Sequence, residues 1–329
     1  MEIDGIHIGD GEKPYIIAEI GLNHNKDMEL TKRMIVAAKE SGANAVKFQT
    51  YQTEKLMLNS SGAFKIFKDL ELGPGEFSMI SGFCREVGIT FFSAPFSLES
   101  VDLLEDLNVP CYKIASMELN YFDLIKHIAL KNKPVILSTG MGNLVEIAKA
   151  VETIESCGND RIILLHCISK YPPDSCDMDM TMINKLRTLY PQYPVGFSDH
   201  SPGDTMAIVA RTLGASVFEK HFTLDKDLPG PDHKISFEPD ELKTMKEKLD
   251  DVDKALSHTT GRKDIGIAAH ARRSLFAYRD IKKGEVLDRS MIQVVRPGDG
   301  LSPEMLDFII GKVVKVDIKK DEKMDLSFF

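Results

Sequence analysis

His200 and His221 each end a short apolar run, VGFSDH and SVFEKHF, in two neighbouring strand-helix units. Residues that close successive parallel strands of a barrel meet at one mouth, so two imidazoles there make half of a site for a divalent transition ion. Asp199 precedes His200 and Glu219 stands two residues before His221, and a nearby carboxylate makes Mn²⁺ one candidate. A lone histidine is more simply a hydrogen-bonded core residue. The pairing at adjacent strand ends favours a metal, whereas the other seven histidines show no metal-ligand spacing.

Polar residues also interrupt the C-terminal halves of the other buried runs: Glu19, Lys47, Gln49, Ser93, Lys113, Ser116 and Ser138. A single strand lysine is as readily snorkelling or paired as functional. Polar residues on nearly every strand end are harder to explain as structure alone. Lys47, Lys113, Ser116 and Ser138 offer two point cations and two hydroxyls around one mouth, a set suited to a phosphorylated carboxylic acid. Ser138 opens STGMGN just before a predicted helix, where backbone N–H groups receive phosphate, although an ordinary strand-to-helix turn reads the same way. Glu19, inside the first strand, must neutralise itself or find a cationic partner. Asp232, in LPGPDHKIS, lies on a Gly/Pro-rich loop that either folds over the mouth or stays solvated.

These residues require a scaffold of repeated βα units. Eight β-rich runs, YIIAEIG, AVKFQTY, TFFSAPF, CYKIAS, PVILSTG, RIILLHC, PVGFSDH and SVFEKHF, alternate with amphipathic stretches such as MELTKRMIVAAKESG and LVEIAKAVETIE. A closed (β/α)8 TIM barrel over residues 1–257 is the leading architecture, with an open doubly wound sheet second. The Gly/Thr/Ala-rich stretch 258–270 reads as a linker. From 271 to 329, short β-like runs (SLFAYRDI, MIQVVRP, KVVKVDI) broken by KKGE and PGDG predict a small β-rich domain.

The 329 residues allow two domains, and 43% apolar with 28% charged residues describes a soluble globular protein. No apolar run approaches the roughly 18 residues of a membrane span. The net charge of -9 disfavours a nucleic-acid-binding surface, and the N-terminus lacks an export signal, which predicts a cytoplasmic protein. Five cysteines without CxxC spacing read as reduced, structural thiols.

AEIGLNHN, VKFQTY, YKIASMEL, ILSTGM, GFSDHS, EKHFTLDKDLPGPDHK and RRSLFAYRDIKKGE with RPGDG together resemble the sialic acid synthase family, the phosphoenolpyruvate-dependent nonulosonate synthases. The resemblance runs in order over almost the whole chain. AEIGLNH and GPDHK look more like the N-acetylneuraminate and legionaminate branches than the pseudaminate branch, and spore-coat polysaccharide proteins share much of the pattern. The last domain resembles the antifreeze-like, or SAF, domain.

The resemblance implies that His200 and His221 hold a divalent metal, usually Mn²⁺ with Mg²⁺ or Co²⁺ as alternatives, which binds the aldehyde oxygen of an open-chain N-acylated hexosamine. It implies that Lys47, Lys113, Ser116 and Ser138 hold phosphoenolpyruvate. Ser169 stands where some members use an asparagine on the phosphate. Glu19, Gln49, Glu118, Tyr171 and Asp232 match the substrate-facing polar set. Arg296 matches an arginine that reaches the other subunit's mouth in a domain-swapped homodimer and contacts the acylamino group. The loop LMLNSSGAFKIFKDLELG is shorter than in many relatives, and His270 replaces an aromatic residue of some sugar pockets. The competing readings are a related phosphoenolpyruvate aldose synthase of surface or spore-coat polysaccharide assembly, and a catalytically silent carbohydrate-binding protein.

Overall fold

All eight runs form strands of one parallel sheet: β1 Tyr15–Gly21, β2 Ala45–Thr50, β3 Thr90–Pro95, β4 Tyr112–Ile114, β5 Val135–Ser138, β6 Ile162–Cys167, β7 Val195–Asp199 and β8 Val217–His221. These come from a computed structural model that describes residues 1–256 and 265–329. The strand order is β3-β2-β1-β8-β7-β6-β5-β4, and β3 and β4 lie side by side at the seam without a pairing ladder. Each strand thus neighbours its successor and β8 pairs with β1, which is the order of a (β/α)8 barrel and not of an open doubly wound sheet.

The strands are buried on both faces, as parallel strands under a helical ring must be, and so read as apolar runs broken only at the mouth. The helices that follow show why the intervening stretches fold as they do. Asp27 caps α1 (Met28–Glu40) by accepting from the backbone N–H groups of Glu29 and Leu30, and the helix buries Met34, Ile35 and Ala38 against the barrel. After β5, Asn143 and Glu146 close a reciprocal capping box on α2 (Leu144–Ser156), which buries Ile147, Ala150, Val151 and Ile154. A short hairpin, Glu2–Ile3 with Ile6–His7, precedes β1 and adds Ile3 and Ile8 to the barrel core. It is too short for a pattern argument to have found.

Packing divides the chain into two compact units, residues 1–257 and 258–329. Of the expected linker, residues 258–264 lie outside the described residues, and the remainder forms two helical turns, Ile265–Ile267 and Ala268–Ala271. The second unit has its own core of Leu275, Ala277, Ile281, Leu287, Leu306, Ile309, Val314, Ile318 and Met324. Within it β9 (Ser274–Ala277) pairs antiparallel with β10 (Ile292–Val295). KVVKVDI is not the expected strand, because its pairing is limited to the single bridges Val286 to Val313 and Ile281 to Ile318. Only Val314 and Ile318 are anchored in the core, while Val313 and Val316 face solvent. No helix among the described residues is long and apolar enough to cross a membrane.

Candidate active site

The strand ends of the first unit surround a cavity of about 260 Å³. Glu19, Lys47, Gln49, Lys113, Ser116, Ser138, Ser169, Tyr171, His200 and His221 all line it. Register explains the convergence, since Glu19 on β1 lies beside Lys47 on β2 and His221 on β8. Glu118 belongs to the turn Ser116–Glu118 after β4 and is not among the lining residues. Asp232 is half-buried in the loop after β8, with Oδ2 3.8 Å from His221 Nδ1. Arg296 follows β10 in the second unit and is exposed there. His270 is likewise an exposed residue of the second unit.

Four charges are buried on the inner wall. Lys47 Nζ lies 3.1 Å from Glu19 Oε2 and 3.3 Å from Glu219 Oε1, and Lys113 Nζ lies 3.9 Å from Glu219 Oε2. Burial raises the proton affinity of Glu19, with Lys47 opposing and Glu219 reinforcing the shift. Burial acts the same way on Glu219, but Lys113 and Lys47, with His200 after them, outweigh it and keep that carboxyl ionised. Two carboxylates sharing one lysine are thereby pushed apart, one toward proton exchange and the other toward permanent charge. For Lys113 burial prevails and lowers the ammonium's proton affinity, whereas for Lys47 the two carboxylates overcome burial and raise it.

Hydroxyls and a close backbone turn continue the wall beside Lys113. Lys113 Nζ donates to Ser138 Oγ at 2.6 Å, and the N–H of Gly140 donates to Ser116 Oγ at 3.1 Å. A Cβ at Gly140 would stand 2.7 Å from both Ser116 Oγ and Ser169 Oγ, so only glycine lets the three approach. The turn STGMGN is therefore part of the polar wall.

The imidazoles of His200 and His221 have ring centres 5.4 Å apart, with Tyr171 4.2 Å from His200 and 6.1 Å from His221. His200 Nδ1 donates to the carbonyl of Ile168 at 2.9 Å, which leaves Nε2 free. His221 is held neutral mainly by burial and then by His200, and its buried Nδ1 has no hydrogen bond. Glu19 Oε2 and Glu219 Oε2 are also buried without an aligned hydrogen-bond partner. Buried polar atoms without a hydrogen bond are rare, and the Nδ1 of an imidazole left so at this mouth marks a place for a ligand. Two imidazoles, His221 held neutral by burial and His200 oriented by a carbonyl, fit a divalent ion that keeps positions open for water or substrate.

The carboxylates expected to support the metal are engaged elsewhere. Asp199 turns from the mouth to accept from Lys220 Nζ at 2.9 Å, and Glu219 serves the lysines. No group of three or more metal-ligating side chains occurs among the described residues. The sequence reading missed Glu219 as a partner of the lysines and Cys167 as a mouth residue. Glu219 is two residues from His221, hence on the same strand face, and Cys167 closes β6, so the rule that located the other strand ends applies to both.

The chain is 37% identical to the N,N'-diacetyllegionaminic acid synthase of Legionella pneumophila, with 92% of this chain and 91% of that protein covered. It is 33% identical to the spore coat polysaccharide biosynthesis protein SpsE of Bacillus subtilis, over 95% of this chain and 93% of that protein. The crystal structure of N-acetylneuraminic acid synthetase from Leptospira borgpetersenii superposes with a TM-score of 0.77 at 34% identity, covering 81% of this chain and 93% of that one. Residues 272–322 match the SAF domain, and residues 34–261 match the NeuB family. The chain belongs to the NeuB family and carries a C-terminal SAF domain.

Proposed function

We propose that the chain joins phosphoenolpyruvate to an open-chain N-acylated hexosamine, N-acetylmannosamine or 2,4-diacetamido-2,4,6-trideoxymannose, giving a nine-carbon sialic-acid-type acid and phosphate. The observation that carries the reading is the cluster of Lys47, Lys113, Glu19 and Glu219 on the inner wall beside two imidazoles. The four charges cancel while both carboxyls are ionised. When Glu19 holds a proton, the wall has one positive charge in surplus, which is what a small phosphorylated anion needs away from bulk water. The named relatives support the same chemistry.

In this reading Lys47, Lys113, Ser116, Ser138 and Ser169 orient phosphoenolpyruvate. Gln49, Glu118, Tyr171 and Asp232 form the sugar-facing set. A divalent ion held by His200 and His221, with Mn²⁺ the first candidate, would supply Lewis-acid polarisation of the sugar aldehyde. The C2=C3 π pair of phosphoenolpyruvate forms the new bond from C3 to the aldehyde carbon as the carbonyl π bond breaks, the aldehyde oxygen takes the proton held by Glu19, and C2 is left cationic. Water then adds at C2, and the C–O bond to phosphate breaks, leaving the keto acid. Glu19, left ionised once its own proton has passed to the aldehyde oxygen, takes the proton of that water, while the two lysines balance the departing phosphate.

Residues 1–257 are the catalytic domain, 258–270 the linker and 271–329 the SAF domain of this reading, with Arg296 contacting the acylamino group of a sugar bound in the partner subunit of a domain-swapped homodimer. The five free cysteines support a reducing, cytoplasmic setting. The test is phosphate release from phosphoenolpyruvate with Mn²⁺, comparing the two sugars and a no-sugar control, with mass detection of products. Release with one sugar only establishes the reaction and its branch. Absence of release with either, from folded and metal-loaded protein, refutes the proposal and favours another aldose or a non-catalytic role.

A further inference from the structure

The motifs LNHN after β1 and LPGPDHKIS after β8 contain Asn23, Asn25 and His233, none of which the proposed chemistry uses. They meet in the structure. Asn25 Nδ2 donates to the carbonyl of Pro229 at 2.8 Å and to His233 Nε2 at 3.2 Å. With Nε2 accepting, the proton of the His233 ring sits on Nδ1 and is donated to Thr223 Oγ1 at 2.7 Å, whose own hydroxyl donates to the carbonyl of Asp225 at 3.1 Å. On the other side of the loop, Asn23 Nδ2 donates to the carbonyl of Phe222 at 2.9 Å and to Ser236 Oγ at 2.8 Å, and Ser236 donates to the carbonyl of Asp232 at 2.6 Å.

His233, Thr223, Asn23 and Ser236 are completely or almost completely buried, although Pro229, Gly230 and Pro231 between them are exposed. An exposed Gly/Pro-rich segment has little packing of its own, so these hydrogen bonds must supply its order. Asn25 adopts a φ of 48°, a left-handed turn in which asparagine is tolerated, and its amide meets the loop after the adjacent strand β8. Gly230 is packed against the same ring, since a Cβ there would stand 2.6 Å from His233 Cδ2 and 3.1 Å from Asn25 Oδ1.

The geometry points to a latch: Asn23 and Asn25, through Ser236, His233 and Thr223, fasten the loop 224–236 to the turn after β1 and hold Asp232 beside His221. The three side chains Asn23, Asn25 and His233 are positioning residues. They touch no reacting atom, and through Asp232 they set the affinity for the sugar. This rests on the reading of Asp232 as a sugar-facing group.

Two variants test the latch from opposite sides. Asn25→Gly keeps the left-handed backbone and removes only the side chain, and Gly230→Ala drives a methyl into the His233 ring. Amide hydrogen exchange on substrate-free protein is expected to accelerate at least about 10-fold across 224–236 in both, with exchange in the barrel strands unchanged. With the wild-type reaction as reference, the KM for the sugar is expected to rise about 10-fold while that for phosphoenolpyruvate stays within about 2-fold. Unchanged exchange in 224–236, acceleration spread evenly over the barrel, or faster loop exchange with an unmoved sugar KM would each overturn the inference. A wild-type protein that turns over neither sugar refutes the proposed function instead, and the exchange experiment then decides the latch by itself.

Discussion

Lys47→Met removes a buried cation at nearly constant volume and leaves Glu19 and Glu219 facing each other with only Lys113, 3.9 Å from Glu219, to balance them. Breaking one partner out of a buried pair costs about 3–5 kcal/mol when the other charge stays ionised. Here Glu19 has a way out, because burial already raises its proton affinity and Lys47 was the main force opposing the rise. It will take up a proton, which holds the loss to about 3 kcal/mol near neutral pH. A carboxyl that binds its proton more tightly when folded than unfolded stabilises the protein below its unfolded pKa of 4.5, and that contribution is lost as pH rises through the higher folded value. The deficit of Lys47→Met should therefore shrink as the pH is lowered toward 5. The assay is urea unfolding of wild type, Lys47→Met, Glu19→Gln and the double variant at several pH values. A coupling of about 2 kcal/mol is expected, with the double variant more stable than the two single losses added together. Strict additivity, or a deficit independent of pH, would show that the Lys47 to Glu19 contact does not govern the charge state of this wall.

Three further outcomes follow from the same structure. His200→Ala and His221→Ala should each weaken Mn²⁺ binding to the metal-free protein at least about 100-fold by calorimetry, and wild-type affinity in both would remove the metal from the histidine pair. Arg296→Ala should raise the sugar KM about 10-fold with little change in the KM for phosphoenolpyruvate, and equal effects on both would count against an acylamino contact. His24, buried and stacked 6.3 Å from Phe48, is pushed by burial down to about 4 from 6.5, so between those values the unfolded chain binds a proton that the native chain does not. Stability then falls by up to about 3 kcal/mol as pH drops through that window, and His24→Gln should flatten this part of the curve measured by chemical unfolding.

Most of the barrel and of its mouth could be read from local pattern. Parallel strands buried on both faces read as continuous apolar runs, so a lysine, glutamate or histidine near the end of one is exceptional wherever it occurs, and Glu19, Lys47, Lys113, His200 and His221 stood out for that reason. Less was legible where the signal is weak or shared. KVVKVDI has the composition of a strand but only bridges its neighbours, because two of its valines lie on the solvent side. Cys167 looked like a packing thiol and instead lines the cavity, because β6 ends at that residue.

From the sequence by itself came the repeating βα order, the strand ends and the residue types available at one mouth, all of which depend on separations of a few residues. Only the tertiary structure decided which of those residues serve each other. Asp199 and Glu219 are both acidic residues next to or near a histidine. One is directed outward to Lys220 and the other inward to two lysines, a choice made by closure of the barrel and not by either residue's neighbours. Asn23 and Ser236 are 213 positions apart, and nothing in local pattern joins them. They meet because β8 pairs with β1, which brings the loops following the first and last strands together over one face.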